Sequence, residues 1–223
     1  MKSNALHLYR AVFLTSLLVT APAFSGEKDP TAPAAAKAQD PAAPAAAKGQ
    51  DAPNMEEMMK KWQAYAAPGA GHKVLESLVG EWDVQSRSWM AGPDGPVTES
   101  KGTATVKWTL GGRYLQESFS GEMMQRPFQG EGVTAYDNFK KKYVSTWMDT
   151  MSTGIFISEG TADEAGKVLT FLGKMDEPMT GQKDKPTKYI IRITSPDAHT
   201  FEMHDLTLGE KTKVFEMTYT RKP

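Results

Sequence analysis

Two carboxylates occupy positions where an acid could act on a bound molecule. In the alternating patterns around them, Glu117 and Asp205 fall on the side of a strand that carries large apolar residues, so both are predicted to face a protein interior. A buried carboxylate must be paired with a cation, hydrogen-bonded or protonated. Arg113 and Arg192 are candidate partners. The two acids therefore predict either an internal salt bridge or a polar anchor for the head group of a ligand.

Large aromatic residues of the same region could supply the apolar surface that such a ligand needs. They could equally plug the interior, since tryptophan and tyrosine bury a large area. The predicted ligand-binding set joins these aromatic residues to the two acids and one arginine: Trp82, Trp108, Glu117, Trp147, Arg192, Asp205 and Tyr219.

Several kinds of chemistry are excluded or disfavoured. The chain has no cysteine, which removes thiol catalysis, thiolate metal sites and a disulfide framework. No nucleophile elbow, phosphate loop or zinc-protease motif is present. Beyond the first 25 residues there are only three histidines, His72, His199 and His204, and the net charge of −1 gives no electrostatic case for nucleic acid. We expect no catalytic residues, no cofactor and no metal.

The elements that must position these side chains are strands. After Gly80 the apolar period becomes two, and turn signals such as 92–95, 111–112 and 137–138 divide the chain into about ten strands. No helical stretch separates them, so we predict an antiparallel up-and-down barrel over 80–223, which leaves no exposed sheet edge. The predicted strands are 81–90, 101–110, 113–121, 128–136, 142–149, 153–160, 167–175, 186–195, 199–208 and 212–221.

The preceding segment, 54–79, is predicted to form one or two short helices that cap the barrel. Asn54 can cap the first helix, with Glu57 at its third position as in a capping box. A stripe of apolar residues at helical spacing predicts that this helix packs on the core rather than binding copper through thioethers: Met55, Met58, Met59, Trp62 and Tyr65. Gly80 is predicted to end the second helix and to aim Trp82 at the base of the barrel as a closure residue.

The N-terminal quarter carries targeting and linker patterns. Residues 1–25 combine Lys2 and Arg10 with an apolar run, 11–20, and small residues near 21–25, as in a cleaved signal peptide. The apolar run is too short for a helix that spans a bilayer. Residues 26–53 are rich in alanine and proline, which predicts a solvated, disordered linker. We therefore predict a secreted or periplasmic protein, cleaved near residues 23–25.

Several long segments resemble a bacterial domain family of unknown function. They are LESLVGEWDV, ESKGTATVKWTLGGRYLQESFSGEMM, AYDNFKKKYVSTWMDTMSTGIFISEG and FEMTYTRK, and the resemblance spans roughly residues 55–223. Members of this family are mostly secreted or periplasmic. The family is similar in outline to the calycins, whose first strand also carries a Gly-x-Trp pattern, here Gly80 and Trp82.

The resemblance to calycins implies binding of a small apolar or amphipathic molecule. Fatty-acid binders of that group close with an Arg-x-Tyr pair on the last strand, whereas this chain has Tyr219 before Arg221, so capture of a carboxylate by that route is not implied. Nitrobindin-like barrels bind haem through a histidine, but spacing alone does not place His199 or His204 in the interior.

Three functional hypotheses follow. The first is a non-catalytic binding barrel for a small hydrophobic or amphipathic ligand. The second is a structural or envelope-stress protein with a filled barrel that acts through its surface. The third is a small-molecule enzyme that uses an interior acid. Oligomeric state and protein partners are not determined by the sequence.

Overall fold

The computed structural model describes residues 54–89, 92, 95–209 and 212–223. The predicted signal peptide, 1–25, and nearly all of the predicted linker, 26–53, lie outside the described residues. The described chain is mainly strand, as the alternating pattern predicts.

Two short helices precede the strands. Helix α1 (Met55–Ala66) begins after Asn54, whose side chain accepts a hydrogen bond from the Glu56 amide at 3.0 Å. Helix α2 (Ala70–Leu75) continues into a 3-10 turn (Glu76–Leu78). The predicted helical segment is confirmed, but only its second half is packed on the barrel, where Leu75 and Leu78 are buried.

The prediction that the α1 stripe packs on the core is wrong. No residue of α1 is buried, and Trp62 is 65% exposed. The helix is held at its C-terminal end instead, where the Asn138 side chain donates hydrogen bonds to the backbone carbonyls of Tyr65 and Ala67 at 2.7 and 2.8 Å. An amphipathic pattern shows that a helix has an apolar face but does not show what covers that face.

Ten antiparallel strands close into one barrel in chain order, with β1 paired to β10. The predicted fold class is therefore confirmed. The strands are β1 (Gly80–Ser88), β2 (Thr98–Thr109), β3 (Tyr114–Met123), β4 (Arg126–Asp137), β5 (Lys142–Asp149), β6 (Phe156–Ala162), β7 (Val168–Glu177), β8 (Gln182–Ser195), β9 (Ala198–Asp205) and β10 (Lys213–Arg221).

Four strand boundaries differ by three residues or more from those predicted. Strand β2 begins at Thr98 rather than 101. Strand β6 begins at Phe156 rather than 153, and β8 begins at Gln182 because the β7–β8 hairpin extends past Pro186 to the Glu177–Gln182 pair. Strand β9 ends at Asp205 rather than 208. The Asp205 side chain accepts a hydrogen bond from the Thr207 amide at 2.9 Å and so caps a 3-10 turn (Leu206–Leu208) in place of further strand.

Trp82 closes the end of the barrel that faces α2. Its side chain is fully buried, and its indole N–H donates to the Leu78 carbonyl at 3.0 Å. The Arg221 guanidinium lies 4.2 Å from the Trp82 ring centre and donates to the carbonyls of Val79 at 2.7 Å and Ser77 at 3.2 Å. A side chain at Gly80, where φ is 147°, would collide with this guanidinium. The glycine therefore allows Arg221 to join the last strand to the cap.

Candidate functional site

Glu117 lies inside the barrel, on β3, as its strand parity predicts. It stands between Val106 on β2 and Gly132 on β4 in the register of the sheet. The phenol of Tyr219, on β10, donates a hydrogen bond to its carboxyl Oε1 at 3.0 Å. Burial raises the pKa of Glu117, and the hydrogen bond from Tyr219 opposes that shift only in part. Because the side chain keeps partial solvent accessibility although it lies deep in the protein, it borders interior space.

Tyr219 and His199 extend this polar group toward the cap. Their rings stack at 4.2 Å with an interplanar angle of 17°, and His199 also meets the edge of Trp82 at 4.5 Å. Burial, with a contribution from Arg221, lowers the pKa of His199 to about 3. The imidazole is therefore neutral near pH 7. Its Nδ1 is buried and has no hydrogen-bond partner among the described residues.

Asp205 also faces inward, but at the opposite end of the barrel and in a different state. The Lys185 ammonium lies 2.9 Å from its Oδ2, and the Thr207 hydroxyl donates to its Oδ1 at 2.6 Å. Burial acts to raise the pKa of Asp205, but the hydrogen bonds from Thr207 and Lys185 outweigh it and lower the pKa. The internal salt bridge predicted for one of the acids is thus correct for Asp205, while Glu117 has a phenol as its partner.

Several aromatic rings of the interior lie against glycines of the neighbouring strand. The Trp147 ring lies over two inward-facing glycines of the neighbouring strand, Gly130 and Gly132, where a Cβ would come within 2.1 and 3.0 Å of it. Its indole N–H donates a hydrogen bond to Oδ2 of Asp149 at 3.1 Å, which fixes the orientation of the ring. Three other rings cover glycines of an adjacent strand in the same way: Phe119 over Gly102, Phe171 over Gly160 and Phe156 over Gly173. These glycines are therefore the positions at which the rings can pack flat on the backbone.

Some inward-facing aromatic side chains keep partial solvent accessibility although they pack against the buried core. Trp108, Trp147 and Phe201 point into the barrel by register, yet none is fully buried. Well-packed cores leave few voids that admit water. These three side chains are the aromatic surfaces that a small molecule inside the barrel could contact.

A second polar pair was not predicted from the sequence. The Ser158 hydroxyl donates to the Tyr189 phenol at 2.9 Å, and the Tyr189 ring stacks on Phe171 at 4.5 Å. Burial raises the pKa of Tyr189 to about 12. The only signal in the sequence was the alternation of Tyr189 with Ile191 and Ile193, which assigns a face but no partner.

Two predicted arginine roles are wrong. Arg192 lies on the outer face of β8, where its guanidinium is 3.7 Å from Glu202 and its side chain is 44% exposed. Arg113 donates to the carbonyls of Leu110 and Gly111 in the β2–β3 turn and does not contact Glu117. Neither arginine neutralises an interior acid. Of the two histidines on β9, His199 faces inward, whereas His204 is buried on the outer face beside Glu202 at 3.5 Å.

Two surface pockets lie outside the barrel. One, of about 530 Å³, is bordered by Lys73, Lys167 and Arg221 at the cap, and the other, of about 550 Å³, lies between the end of α1 and Phe139. Their rims consist largely of exposed side chains, so a bound molecule would remain hydrated there. A site that desolvates its ligand requires the interior.

Two further properties of the described residues concern metal binding and the spanning of a membrane by helices. Within 54–89, 95–209 and 212–223, no group of three or more histidine and acidic side chains is placed to hold a metal ion. Over the same residues, neither helix has the length and apolar character needed to cross a bilayer.

These features define a class: a closed ten-stranded antiparallel barrel, sealed at one end by Trp82, with an interior acid, Glu117, that has no cationic partner among the described residues. The chain belongs to a family described as "Protein of unknown function (DUF1579)", whose model matches residues 67–221. The family resemblance read from the sequence is thus confirmed. No curated protein matches the sequence.

Several solved structures are similar to this chain. The crystal structure of Rv2717c from M. tuberculosis matches with a TM-score of 0.52 and 14% sequence identity, over 70% of this chain and 100% of that chain. The S-type phycobiliprotein lyase CPES from Guillardia theta gives a TM-score of 0.48 at 12% identity, over 77% of this chain and 99% of that chain. At these identities, the likeness to Rv2717c shows the fold alone.

Proposed function

We propose that this protein is a non-catalytic binding barrel that holds a small hydrophobic or amphipathic molecule in its interior. The observation that carries the proposal is the arrangement of the wall. The ring of Trp147 lies over Gly130 and Gly132 of the adjacent strand, and it keeps partial solvent accessibility although it points into the barrel. A side chain at such a glycine would overlap the ring, so each glycine is needed for the ring to lie flat against the wall.

The polar groups of the interior support the same function. Ligand sites combine an apolar lining with a few fixed polar groups that orient the ligand. Here Glu117 and Tyr219 form one such group, linked at 3.0 Å, and Ser158 and Tyr189 form another, linked at 2.9 Å. These side chains come from four different strands, so closure of the barrel fixes their positions.

A fluorescent probe tests the proposal directly. N-phenyl-1-naphthylamine becomes brighter in apolar sites, and the full chain should give a saturable titration with about one probe per barrel. Gly132→Leu adds a branched side chain beside Glu117 and should weaken binding by about tenfold or more, or about 1.4 kcal/mol. Gln129→Leu places the same residue on the exposed outer face of the same strand and should leave binding unchanged.

The result that counts against an interior site is equally clear. Either no saturable titration by the wild type, or equal binding by a folded Gly132→Leu variant, would show that the probe does not enter the barrel. Far-UV circular dichroism establishes that each variant is folded. If Gly132→Leu does not fold, Ser145→Leu, an inward-facing change on β5, takes its place.

We further propose that the protein is exported and that residues 1–25 are removed. The support is the sequence pattern of a charged start, an apolar run and small residues near 21–25. Intact mass measurement of the protein from the envelope fraction of its own cells should give a chain that begins between residues 24 and 26. A full-length mass in the cytoplasmic fraction would contradict export.

A further inference from the structure

Two partly buried cations, Arg221 and Lys185, occupy inward-facing positions, and both bind groups other than Glu117. The Arg221 guanidinium is bound by backbone carbonyls of the cap and lies 3.2 Å from Asp197. The Lys185 ammonium is paired with Asp205 at 2.9 Å. In the described part of the chain, no hydrogen bond or ion pair joins a cation to Glu117, Tyr219 or His199.

An anionic ligand would therefore enter this part of the interior without a counter-charge. Removing an unpaired anion from water costs several kcal/mol even after the protein relaxes. The carboxyl of Glu117 adds to that cost, because a second negative group nearby disfavours ionisation of either one. Fatty acids, sulfonates and phosphates are disfavoured on these grounds.

The polar surface that remains is suited to a hydrogen-bond donor. Tyr219 donates to Oε1 of Glu117, and Oε2 receives no hydrogen bond from the described residues. The single hydroxyl hydrogen of Tyr219 has two acceptors within reach, Glu117 Oε1 at 3.0 Å and Met217 Sδ at 3.1 Å, so it is not available to a ligand. A ligand N–H or O–H placed beside Oε2 would supply the missing partner and would stabilise the ionised carboxylate that burial disfavours. A flat apolar body would contact rings such as Trp147.

We propose that the interior site selects uncharged, flat amphipathic molecules that carry an N–H or O–H donor, and that it excludes anions of the same shape. This inference rests on the proposed function, because it assumes that the interior binds a ligand. The donor group lies against Glu117, and the apolar body lies against the wall formed by Trp147 and its neighbouring aromatic rings.

A matched pair of probes tests the selection against charge. N-phenyl-1-naphthylamine is uncharged and has one N–H donor, and 8-anilino-1-naphthalenesulfonate is the same skeleton with a sulfonate. The wild-type chain should bind the uncharged probe at least about tenfold more tightly. Equal or tighter binding of the sulfonate would overturn this inference and leave the binding function intact, whereas no binding of either probe would overturn both.

The donor is tested separately with 1-phenoxynaphthalene, in which an ether oxygen replaces the N–H group. In competition against N-phenyl-1-naphthylamine, it should bind about threefold or more weakly, the loss of one hydrogen bond. Equal affinity would show that the donor has no role in recognition.

The role of Glu117 is tested by Glu117→Gln, with Glu122→Gln as the matched control. Glu122 carries the same group on the exposed outer face of the same strand. Glu117→Gln should narrow the preference for the uncharged probe by about threefold or more, chiefly by strengthening sulfonate binding. An unchanged preference, or an equal change in Glu122→Gln, would remove Glu117 from the selection. If Glu117→Gln does not fold, the wild-type preference for the uncharged probe still decides the proposal.

Discussion

His199 should make the protein markedly sensitive to acid. The imidazole is 6% exposed and its pKa is lowered from 6.5 to about 3 on folding. Below pH 6.5 the unfolded chain binds a proton that the folded chain rejects, so stability is highest above 6.5 and falls until the folded imidazole titrates near 3. A pH of about 4.5 lies about two pH units below the unfolded pKa of 6.5, so the free energy of unfolding should be lower there by about 2.7 kcal/mol.

Replacement by phenylalanine isolates this effect. His199→Phe keeps a ring that can stack on Tyr219 and meet Trp82, but it does not titrate. Urea unfolding at about pH 7.5 and about pH 4.5 measures the free energy of unfolding for both proteins. The wild type should lose about 2–3 kcal/mol more than the variant over this range, since all other groups titrate in both.

Equal losses in the two proteins would refute the reasoning. That result would mean that His199 is protonated in the folded state near pH 4.5, and hence that it is solvated or has a negative partner. Titration of the His199 ring signals by NMR gives the same answer independently: a midpoint above about 5 in the folded protein would contradict the burial on which the prediction rests.

Two further predictions concern the wall and the cap. Gly130→Ala should lower the free energy of unfolding by about 1–3 kcal/mol in urea and alter Trp147 fluorescence, because the new methyl group overlaps the ring. The control is Gly154→Ala, where no atom lies within 4 Å of the added Cβ, and it should change stability by less than about 0.5 kcal/mol. Equal effects of the two changes would show that the ring does not rest on Gly130. Arg221→Met should cost about 2–4 kcal/mol by leaving cap carbonyls without donors, and a loss below about 0.5 kcal/mol would show that those carbonyls are satisfied without it.

Sequence periodicity predicted the barrel and the face of most interior residues, because strand side chains alternate with a period of two. It placed Glu117, Trp147 and Asp205 inside the barrel. It failed for Arg192, which follows the consecutive apolar residues 189–191 and so stands in a stretch where the alternation is ambiguous. The period identifies a face only where one side of the strand is clearly polar.

Partners across the barrel could not be predicted. Tyr219 and Glu117 are 102 positions apart, and only the closure of β10 on β1 brings them together. The ring of Trp147 rests on Gly130 because β4 and β5 pair in one register, which depends on the turn between them. The apolar stripe of α1 shows a related limit. Its pattern predicted packing on the core, but no residue of this helix is buried in the described chain.

Arg221 also determines when the barrel can form. It joins the final strand to Val79, 142 positions earlier, so the barrel can close only after strand β10 has been made. Contacts of such long range carry a high loop-closure entropy and slow folding. Until that contact forms, β1 and the growing end of the sheet are open edges that can pair with other chains. The residue that seals the cap therefore also ends the period in which the chain is prone to aggregate.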